Sequence, residues 1–267
     1  MQHFVLTRFN IASPGREAPI RNSPGWLSGR FELFMTYCLP SMAAQESHAF
    51  HWLIYFDEQT PEQFREQIIA AQSQVAFEPI FVGPFRASLA ADDVAKRLSP
   101  GTQRVITTRL DNDDAVSRDF LMRIRAECEG LPDGTIVNFR QGVALRAGRL
   151  YTAVDDSNPF ASLVEAADGA KTIWAAPHTE LAARFPTRQV DTAPCWLQVV
   201  HGENVANRIK GKRLGDRDVL DRFGLRPGIG IEETSAADLL LDRLIFHPLR
   251  SLREKIIALA KAILRRH

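Results

Sequence analysis

Residues 104–114 read Arg104-Val105-Ile106-Thr107-Thr108-Arg109-Leu110-Asp111-Asn112-Asp113-Asp114, and this stretch is the most informative in the chain. Its first seven residues are mostly apolar or β-branched, which predicts a buried strand. Three carboxylates then follow at the end of that strand, where they repel one another unless a positive charge lies close to them. Basic side chains or a divalent cation can supply that charge, and for carboxylate ligands the candidate ions are Mg²⁺ and Mn²⁺.

Strand and helix patterns alternate on both sides of this stretch. Strands are predicted at residues 3–7, 52–56, 77–82 and 105–110. Helices are predicted at residues 31–44, 60–74, 88–98 and 118–129, with Pro40 expected to bend or end the first of them. This order predicts an α/β fold with a parallel, doubly wound sheet and right-handed crossovers.

The predicted ligand site lies at one edge of this sheet. Asp57 and Glu58 directly follow the second strand, as the stretch from Asp111 to Asp114 follows the fourth. The carboxyl ends of parallel strands meet at the same edge, and ligands bind beyond that edge. We therefore expect the acidic strand ends to border a cleft.

The pattern changes after residue 134. Residues 135–139, 142–145 and 149–154 are close enough in sequence to form an antiparallel meander. Asn158 is expected to cap a short helix that runs through Glu165. Residues 195–200 predict one more strand, which ends at His201 in the sequence His201-Gly202-Glu203-Asn204.

The remaining segments predict a loop and a helical extension. Residues 207–218 are basic and interrupted by glycine, which predicts a mobile loop. Helices are predicted at residues 236–246 and 252–264, and the second is amphipathic with basic ends that include Arg265 and Arg266. We expect one domain over residues 1–235 and a helical C-terminal extension over residues 236–267.

Composition narrows the class of protein. The net charge of the 267 residues is +1, so no overall field favours nucleic acid as a partner. The three cysteines, Cys38, Cys128 and Cys195, are scattered and odd in number, which favours a reducing, cytoplasmic setting over a disulfide framework. We expect no signal peptide at the N-terminus and no membrane-spanning segment.

Several segments resemble a known family. The run Asp111-Asn112-Asp113 at the end of a strand resembles the DxD motif of the GT-A glycosyltransferases. More closely, the chain is similar over residues 3–205 to the family described as putative rhamnosyltransferases. The segments that carry this resemblance are residues 3–10, 52–58, 107–115, 158–160 and 200–202.

The resemblance implies a GT-A-like α/β fold with a mixed, mostly parallel sheet flanked by helices. It also implies metal-dependent transfer of a sugar, with rhamnose as the candidate, from a nucleotide diphosphate donor to the hydroxyl group of a glycan or another acceptor. The implied ligands of Mn²⁺ or Mg²⁺ are Asp111, Asp113, Asp114 and His201.

The same resemblance implies residues that bind the donor. In such folds the end of the first strand cradles the nucleotide base, where Arg8 could make paired contacts, Phe9 could stack and Asn10 could pair with a base edge. The full set of expected donor-binding residues is Thr7, Arg8, Asn10, Asp57, Arg109 and Asp111.

An inverting transferase also needs a carboxylate that deprotonates the acceptor hydroxyl group. The candidates are Asp155 and Asp156, which precede Asn158, and Glu165. Asp156 is the preferred base and Glu165 is the second candidate. Transfer from a β-linked donor to an α-linked product would invert the configuration at the anomeric carbon.

Other interpretations of the same residues remain open. The acidic stretch could be a solvated turn in a non-catalytic binding module. A nucleotidyltransferase or another metal-dependent phosphate enzyme would need a glycine-rich basic loop after the first strand, which Gly15-Arg16 and Gly25 only faintly resemble. The C-terminal helix could dock on the body of the protein or make a peripheral contact with anionic lipid at the inner face of the membrane.

Overall fold

The computed structural model of the protein describes residues 1–12, 17–21, 23–202 and 208–264. Some residues singled out in the sequence lie outside these ranges: Gly15, Arg16, Glu203, Asn204, Arg265 and Arg266.

Two sheets organise the described residues. The strands are β1 (Gln2–Arg8), β2 (His51–Asp57), β3 (Glu78–Val82), β4 (Arg104–Arg109), β5 (Ala115–Val116), β6 (Thr135–Phe139), β7 (Gln141–Arg146), β8 (Arg149–Val154), β9 (Ser162–Ala166), β10 (Thr187–Val190) and β11 (Trp196–Val199). The larger sheet has the order β10-β6-β9-β4-β1-β2-β3, and the smaller has the order β5-β11-β7-β8. In the larger sheet β9 runs antiparallel to both its neighbours and the other pairs are parallel, so the predicted mostly parallel α/β sheet is confirmed.

Helices cover both faces of the larger sheet. The α-helices of the described residues are α1 (Glu17–Arg21), α2 (Trp26–Leu33), α3 (Leu39–Ala43), α4 (Glu62–Gln72), α5 (Ala87–Lys96), α6 (Phe120–Cys128), α7 (His178–Arg184), α8 (Ala236–Leu241) and α9 (His247–Leu264), of which α8 and α9 lie away from the larger sheet. Strand β2 shows why both faces are closed, because Trp52 and Ile54 pack into one hydrophobic cluster while Leu53 and Tyr55 pack into the other. An unbroken apolar strand of this kind is stable only between two layers.

The helix predicted at residues 31–44 contains a wide turn. A π-helical turn at Phe34–Cys38 joins α2 to α3, and the backbone N–H of Leu39 donates to the carbonyl oxygen of Phe34. Pro40 follows directly and has no N–H to continue a regular ladder, which explains the irregular turn before it.

The predicted meander is only partly correct. Strands β7 and β8 form an antiparallel pair, but β6 belongs to the other sheet and pairs with β9 and β10. The smaller sheet is completed by β11, which lies parallel to β7, and by β5, which directly follows Asp114.

The helix predicted at residues 158–165 is wrong. Asn158 accepts a hydrogen bond from the backbone N–H of Phe160 over 3.0 Å, but a turn follows instead of a helix. Residues Ser162–Ala166 are strand β9, inserted between β4 and β6. Leu163 and Val164 are fully buried there, and this tertiary pairing overrides the local signal for a helix start.

The described part of the mobile loop predicted at residues 207–218 is irregular up to Arg217, as expected for a loop, and it also contacts the smaller sheet. Its backbone pairs with β8, since the N–H of Thr152 donates to the carbonyl oxygen of Lys212 and the N–H of Leu214 donates to that of Leu150, both over 2.8 Å.

The described part of the chain contains no helix with the length and apolar character needed to span a bilayer.

Candidate active site

A cavity of 630 Å³ opens between the carboxyl edge of the larger sheet and the smaller sheet. The ends of β1 and β4 contribute Arg8, Arg109 and Asp111, and the smaller sheet contributes Ala144, Thr152 and Gln198, among others. This is the edge of a parallel sheet at which ligands bind, and it is the edge predicted from the sequence.

Basic side chains outnumber acidic ones around the cavity. The basic residues are Arg8, Arg21, Arg30, Arg109, Arg208 and Lys210, and the acidic residues are Asp111, Asp113 and Asp155. A concave wall with this excess of positive charge favours an anionic ligand.

The first carboxylate of the acidic stretch, Asp111, is paired with an arginine of the preceding strand. The Nε and Nη2 atoms of Arg109 donate to the two carboxylate oxygens of Asp111 over 3.1 Å and 2.9 Å. Burial alone would lower the pKa of Arg109, but the nearby carboxylates outweigh it and raise that pKa. Nη1 of Arg109 also donates to Nδ1 of His178 over 3.0 Å.

Asn112 ties the acidic stretch to the end of β1. Its side-chain amide donates to the backbone carbonyl oxygens of Arg8 and Phe9 over 3.0 Å and 2.7 Å. The two strand ends that border the cavity are therefore fixed to each other, and the side chains of Arg8 and Asp113 are held on the same wall.

Asp113 lies between two cationic or potentially cationic groups. Its Oδ2 atom accepts from Nη1 of Arg30 over 2.6 Å and lies 2.9 Å from Nε2 of His201. Burial tends to raise the pKa of Asp113, but the hydrogen bond with His201 and the charge of Arg30 outweigh it and hold that pKa below its usual value. Asp113 is thus stabilised as an anion.

Asp114 turns away from the cavity. It is fully buried, and its Oδ1 atom accepts from the backbone N–H of Val199 in β11 over 2.8 Å. Burial, together with the charges of Asp113 and Asp111, raises the pKa of Asp114 well above its usual value. Asp114 therefore joins the acidic stretch to the smaller sheet through a buried hydrogen bond.

The four predicted metal ligands do not form one group. The described residues contain no cluster of three or more His, Cys, Asp or Glu side chains that could hold a metal ion. Asp113 and His201 are the two that meet, and they supply a carboxylate and an imidazole beside the cavity. Mg²⁺ or Mn²⁺ takes few protein ligands when water and substrate phosphates complete its coordination, so this pair fits such an ion.

The predicted donor-binding residues separate into two sets. Arg8, Arg109 and Asp111 line the cavity, and the guanidinium group of Arg8 lies 5.8 Å from the ring centre of Trp174. The others, Thr7, Asn10 and Asp57, hold the strand ends together. Thr7 accepts a hydrogen bond from the indole N–H of Trp52, and Asp57 forms an ion pair with Arg21. The side chain of Asn10 donates to Thr60 and accepts from the backbone N–H of Asp57.

The two preferred catalytic carboxylates also lie outside the cavity lining. Asp156 pairs with Arg140 on the surface. Glu165 accepts from the backbone N–H groups of Lys171 and Thr172 and so supports the turn at Thr172, whose φ of 68° is in the left-handed region. Of the three candidate bases, Asp155 lines the cavity. Its Oδ1 atom accepts a hydrogen bond from the backbone N–H of Ser157 over 2.8 Å.

Sequence reasoning missed the residues that reach the site from other elements. Arg30 lies in α2, 83 residues before Asp113, and stacks over Trp26 at 5.3 Å. Its Nε atom is buried with no hydrogen-bond partner among the described residues. His178 at the start of α7 was passed over as well. No local pattern marks either residue, because their roles depend on long-range packing.

A basic cavity at the carboxyl edge of a mostly parallel sheet places the protein among α/β proteins with a site for an anionic ligand. The chain belongs to the family described as putative rhamnosyl transferase, whose model matches residues 2–213. The resemblance stated from the sequence is thereby confirmed at the level of the family. The comparison with curated proteins finds no match.

Several solved structures are similar to parts of the chain at low identity and low structural overlap. TarS 1–349 of S. aureus is 11% identical with a TM-score of 0.46, and the alignment covers 74% of this chain and 60% of that one. A putative nucleotide-diphospho-sugar transferase from Desulfovibrio desulfuricans G20 is 10% identical with a TM-score of 0.35, over 74% of this chain and 82% of that one. HddC from Yersinia pseudotuberculosis is 9% identical with a TM-score of 0.42, over 74% and 93%. The functional assignment therefore rests on the family match.

Proposed function

We propose that the protein transfers a sugar, with rhamnose as the candidate, from a nucleotide diphosphate donor to a hydroxyl acceptor. The observation that supports this most is the position of Asp113, because its carboxylate lies on the wall of the basic cavity in contact with both Arg30 and His201. A carboxylate and an imidazole beside several arginines suit a metal-bound diphosphate.

The arginines of the cavity bind the donor in this proposal. Arg8 and Arg109 stand at the ends of β1 and β4, where they can contact the oxygens of the two phosphates. Arg30 also carries a buried Nε–H group with no partner among the described residues, which could donate to the same group. Asp111 holds the guanidinium plane of Arg109 in a fixed orientation, which preorganises the site for the charge that develops on the departing diphosphate.

Asp155 is the base in this proposal, in place of Asp156 and Glu165. It is the carboxylate of the three that lines the cavity. The hydrogen bond from the N–H of Ser157 fixes one of its oxygens, and Nζ of Lys210 lies 3.8 Å from the other. Asp155 would accept the proton of the acceptor hydroxyl group as that oxygen attacks the anomeric carbon, and a single displacement of this kind inverts the configuration.

A bound Mn²⁺ or Mg²⁺ ion would be held by Asp113 and His201 and would supply Lewis-acid stabilisation of the leaving diphosphate. The free, buried thiols of Cys38, Cys128 and Cys195 support a cytoplasmic setting, where reduced cysteines persist.

The proposal is tested by the melting temperature of the protein with ligands. Mn²⁺ and a nucleoside diphosphate together are expected to raise the melting temperature of the wild type, since a ligand that binds only the folded state stabilises it. Asp113→Asn should lose this shift, while Asp133→Asn, a change in a surface ion pair with Arg104, should keep it.

Other outcomes have definite meanings. An equal shift in melting temperature with the nucleoside diphosphate in the presence of a chelator would contradict the proposed metal dependence. It would mean that the arginines alone bind the diphosphate. No shift with any nucleoside diphosphate, with or without metal, would contradict the donor site and favour a non-catalytic module.

A further inference from the structure

The C-terminal arm, residues 236–257, leaves its apolar side in solvent. It consists of α8, a π-helical turn at Asp242–Phe246 and the first part of α9. Of the eleven large hydrophobic side chains that are exposed among the described residues, eight lie between residues 240 and 256. Their exposed fractions run from 46% to 66%. The exposed apolar surface of the described chain is thus concentrated on one short element.

Five of these eight side chains form a single stripe. Leu240, Leu244, Leu249, Leu252 and Ile256 follow one another at steps of four, five, three and four residues. The step of five residues crosses the π-helical turn, which is one residue wider than an α-helical turn and so keeps the stripe on one side.

The side of the arm that contacts the body of the protein is mainly polar, although Leu239 also lies against Gly215 there. Asp242 is the buried residue of this part, and it accepts from the backbone N–H of Arg213 over 2.9 Å and from Arg250 over 2.8 Å. Arg250 also donates to the carbonyl oxygen of Gly211 over 2.9 Å and lies 5.3 Å from the ring centre of Tyr151. None of the described residues of the arm belongs to a hydrophobic cluster of the body.

This orientation is the reverse of that expected for an amphipathic helix on a protein surface. Such a helix normally buries its apolar stripe against the core and turns its charges to solvent. Here ion pairs of Asp238 with Arg213 and of Glu254 with Arg208 hold the arm on the body, and a contiguous apolar surface faces outward. A patch of this kind marks a surface that meets another apolar phase or partner.

The charges beside the stripe indicate which kind of partner the stripe binds. The exposed ionisable side chains between residues 240 and 257 are Arg243, Arg253 and Lys255, all basic. The acids of the same stretch turn inward, since Asp242 is buried and Glu254 lies 3.8 Å from Arg208. A stripe of leucine and isoleucine flanked by cations matches the interface of a bilayer that contains anionic lipid.

We propose that the arm docks the protein on the surface of an anionic lipid bilayer, with the stripe in the acyl boundary and Arg243, Arg253 and Lys255 among the headgroups. The polar side of the arm contacts the segment that carries Arg208 and Gly211, and both residues line the cavity. Docking therefore brings that wall of the cavity close to the lipid. The binding itself does not depend on the proposed catalytic function.

The test is sedimentation of the full chain with lipid vesicles. The wild type is expected to bind vesicles of equal parts phosphatidylglycerol and phosphatidylcholine, and to bind vesicles of phosphatidylcholine alone about tenfold more weakly. Leu244→Glu combined with Leu252→Glu should lower binding to the mixed vesicles by about tenfold or more. Ile69→Glu on α4 is the matched control, because Ile69 is 67% exposed and lies outside the arm.

A second pair of variants tests the charges. Arg243→Glu combined with Arg253→Glu should lower binding to the mixed vesicles, whereas Arg86→Glu, an exposed arginine before α5, should not. Wild-type binding should also weaken as salt is added, which tests the charge contribution without any substitution. Circular dichroism melting should give wild-type values for all variants, since the changed side chains are exposed.

Three results would overturn the proposal. They are no binding of the wild type to either vesicle, equal binding to both vesicles, and a dimer in sedimentation velocity without lipid that Leu244→Glu dissociates. The last result would assign the stripe to a second copy of the chain. Metal-dependent melting shifts with a nucleoside diphosphate should be the same in the arm variants and the wild type, which separates this proposal from the catalytic one.

Discussion

At the scale of single residues, the acidic stretch distributes three carboxylates among three different environments. Asp111 faces the cavity and is held by Arg109, Asp113 is shared by Arg30 and His201, and Asp114 is buried against β11. The sequence predicted that positive charge must lie near these acids. It could not predict that Arg30 supplies part of it, because Arg30 is brought there by the packing of α2.

The assignment of the base is tested at the two adjacent aspartates. Asp155→Asn should lower donor-to-acceptor transfer by about a hundredfold or more, since a general base contributes on this order. Asp156→Asn is the matched control and should keep wild-type turnover, because Asp156 pairs with Arg140 outside the cavity lining. Initial rates at saturating donor measure the effect. Equal rates for Asp155→Asn and the wild type would remove Asp155 from the mechanism.

A buried histidine in the first strand gives a prediction about pH. Burial, with a smaller contribution from Arg125, lowers the pKa of His3 from 6.5 to about 3. Its Nε2 atom lies 2.7 Å from the hydroxyl oxygen of Thr108. Below a pH of about 6.5 the unfolded chain therefore binds a proton that the folded protein does not, so stability falls as the pH falls from that value toward 3.

The expected loss is about 2 kcal/mol of unfolding free energy between about pH 7.5 and about pH 5, at about 1.4 kcal/mol per pH unit below 6.5. In urea unfolding over the same pH range, the unfolding free energy of His3→Gln should fall less than that of the wild type, by this amount. His48→Gln, a change at an exposed histidine, should behave as the wild type. An unchanged pH dependence in His3→Gln would mean that other groups cause it.

At the scale of elements, the sequence predicted those with strong local patterns. Strands β1, β2, β3 and β4 and helices α4, α5 and α6 lie within two residues of their predicted positions at every end. The error at residues 158–165 has a different origin. The sequence Asn158-Pro159-Phe160 is compatible with a helix start, but β9 is fixed by pairing with β4 and β6, which are distant in sequence.

Gly142 in β7 shows how closely the smaller sheet packs under the cavity. A Cβ atom at this position would lie 2.1 Å from Cδ2 of Trp196, which stacks on Phe160 at 5.1 Å and lines the cavity. Gly142→Ala should lower the unfolding free energy by about 1–3 kcal/mol through overpacking and should also displace Trp196.

The control is the same substitution in a helix. No atom lies within 4 Å of a Cβ atom placed on Gly29 in α2, so Gly29→Ala should raise stability by about 0.5–1 kcal/mol. Urea unfolding measures both effects. A Gly142→Ala protein as stable as the wild type would show that Trp196 can move freely.

At the scale of the whole molecule, the larger and smaller sheets meet around one cavity, and the C-terminal arm packs on the segment that carries the lining residues Arg208 and Gly211. The mostly parallel character of the larger sheet was predictable from the alternating patterns, and so was the edge at which the cavity opens. The smaller sheet, the arginine of α2 and the outward apolar stripe of the arm were not predictable, since each depends on contacts between distant parts of the chain.

The most direct test of the account is the release of nucleoside diphosphate from a panel of nucleotide sugars that includes rhamnose donors, with added Mn²⁺. The account predicts that the wild type hydrolyses at least one donor slowly and only with a divalent ion, that Asp113→Asn is slower by about a hundredfold or more, and that Asp133→Asn is unaffected. Full activity in Asp113→Asn would contradict the account. So would a wild type that instead forms nucleotide sugars and pyrophosphate from nucleoside triphosphates and sugar phosphates.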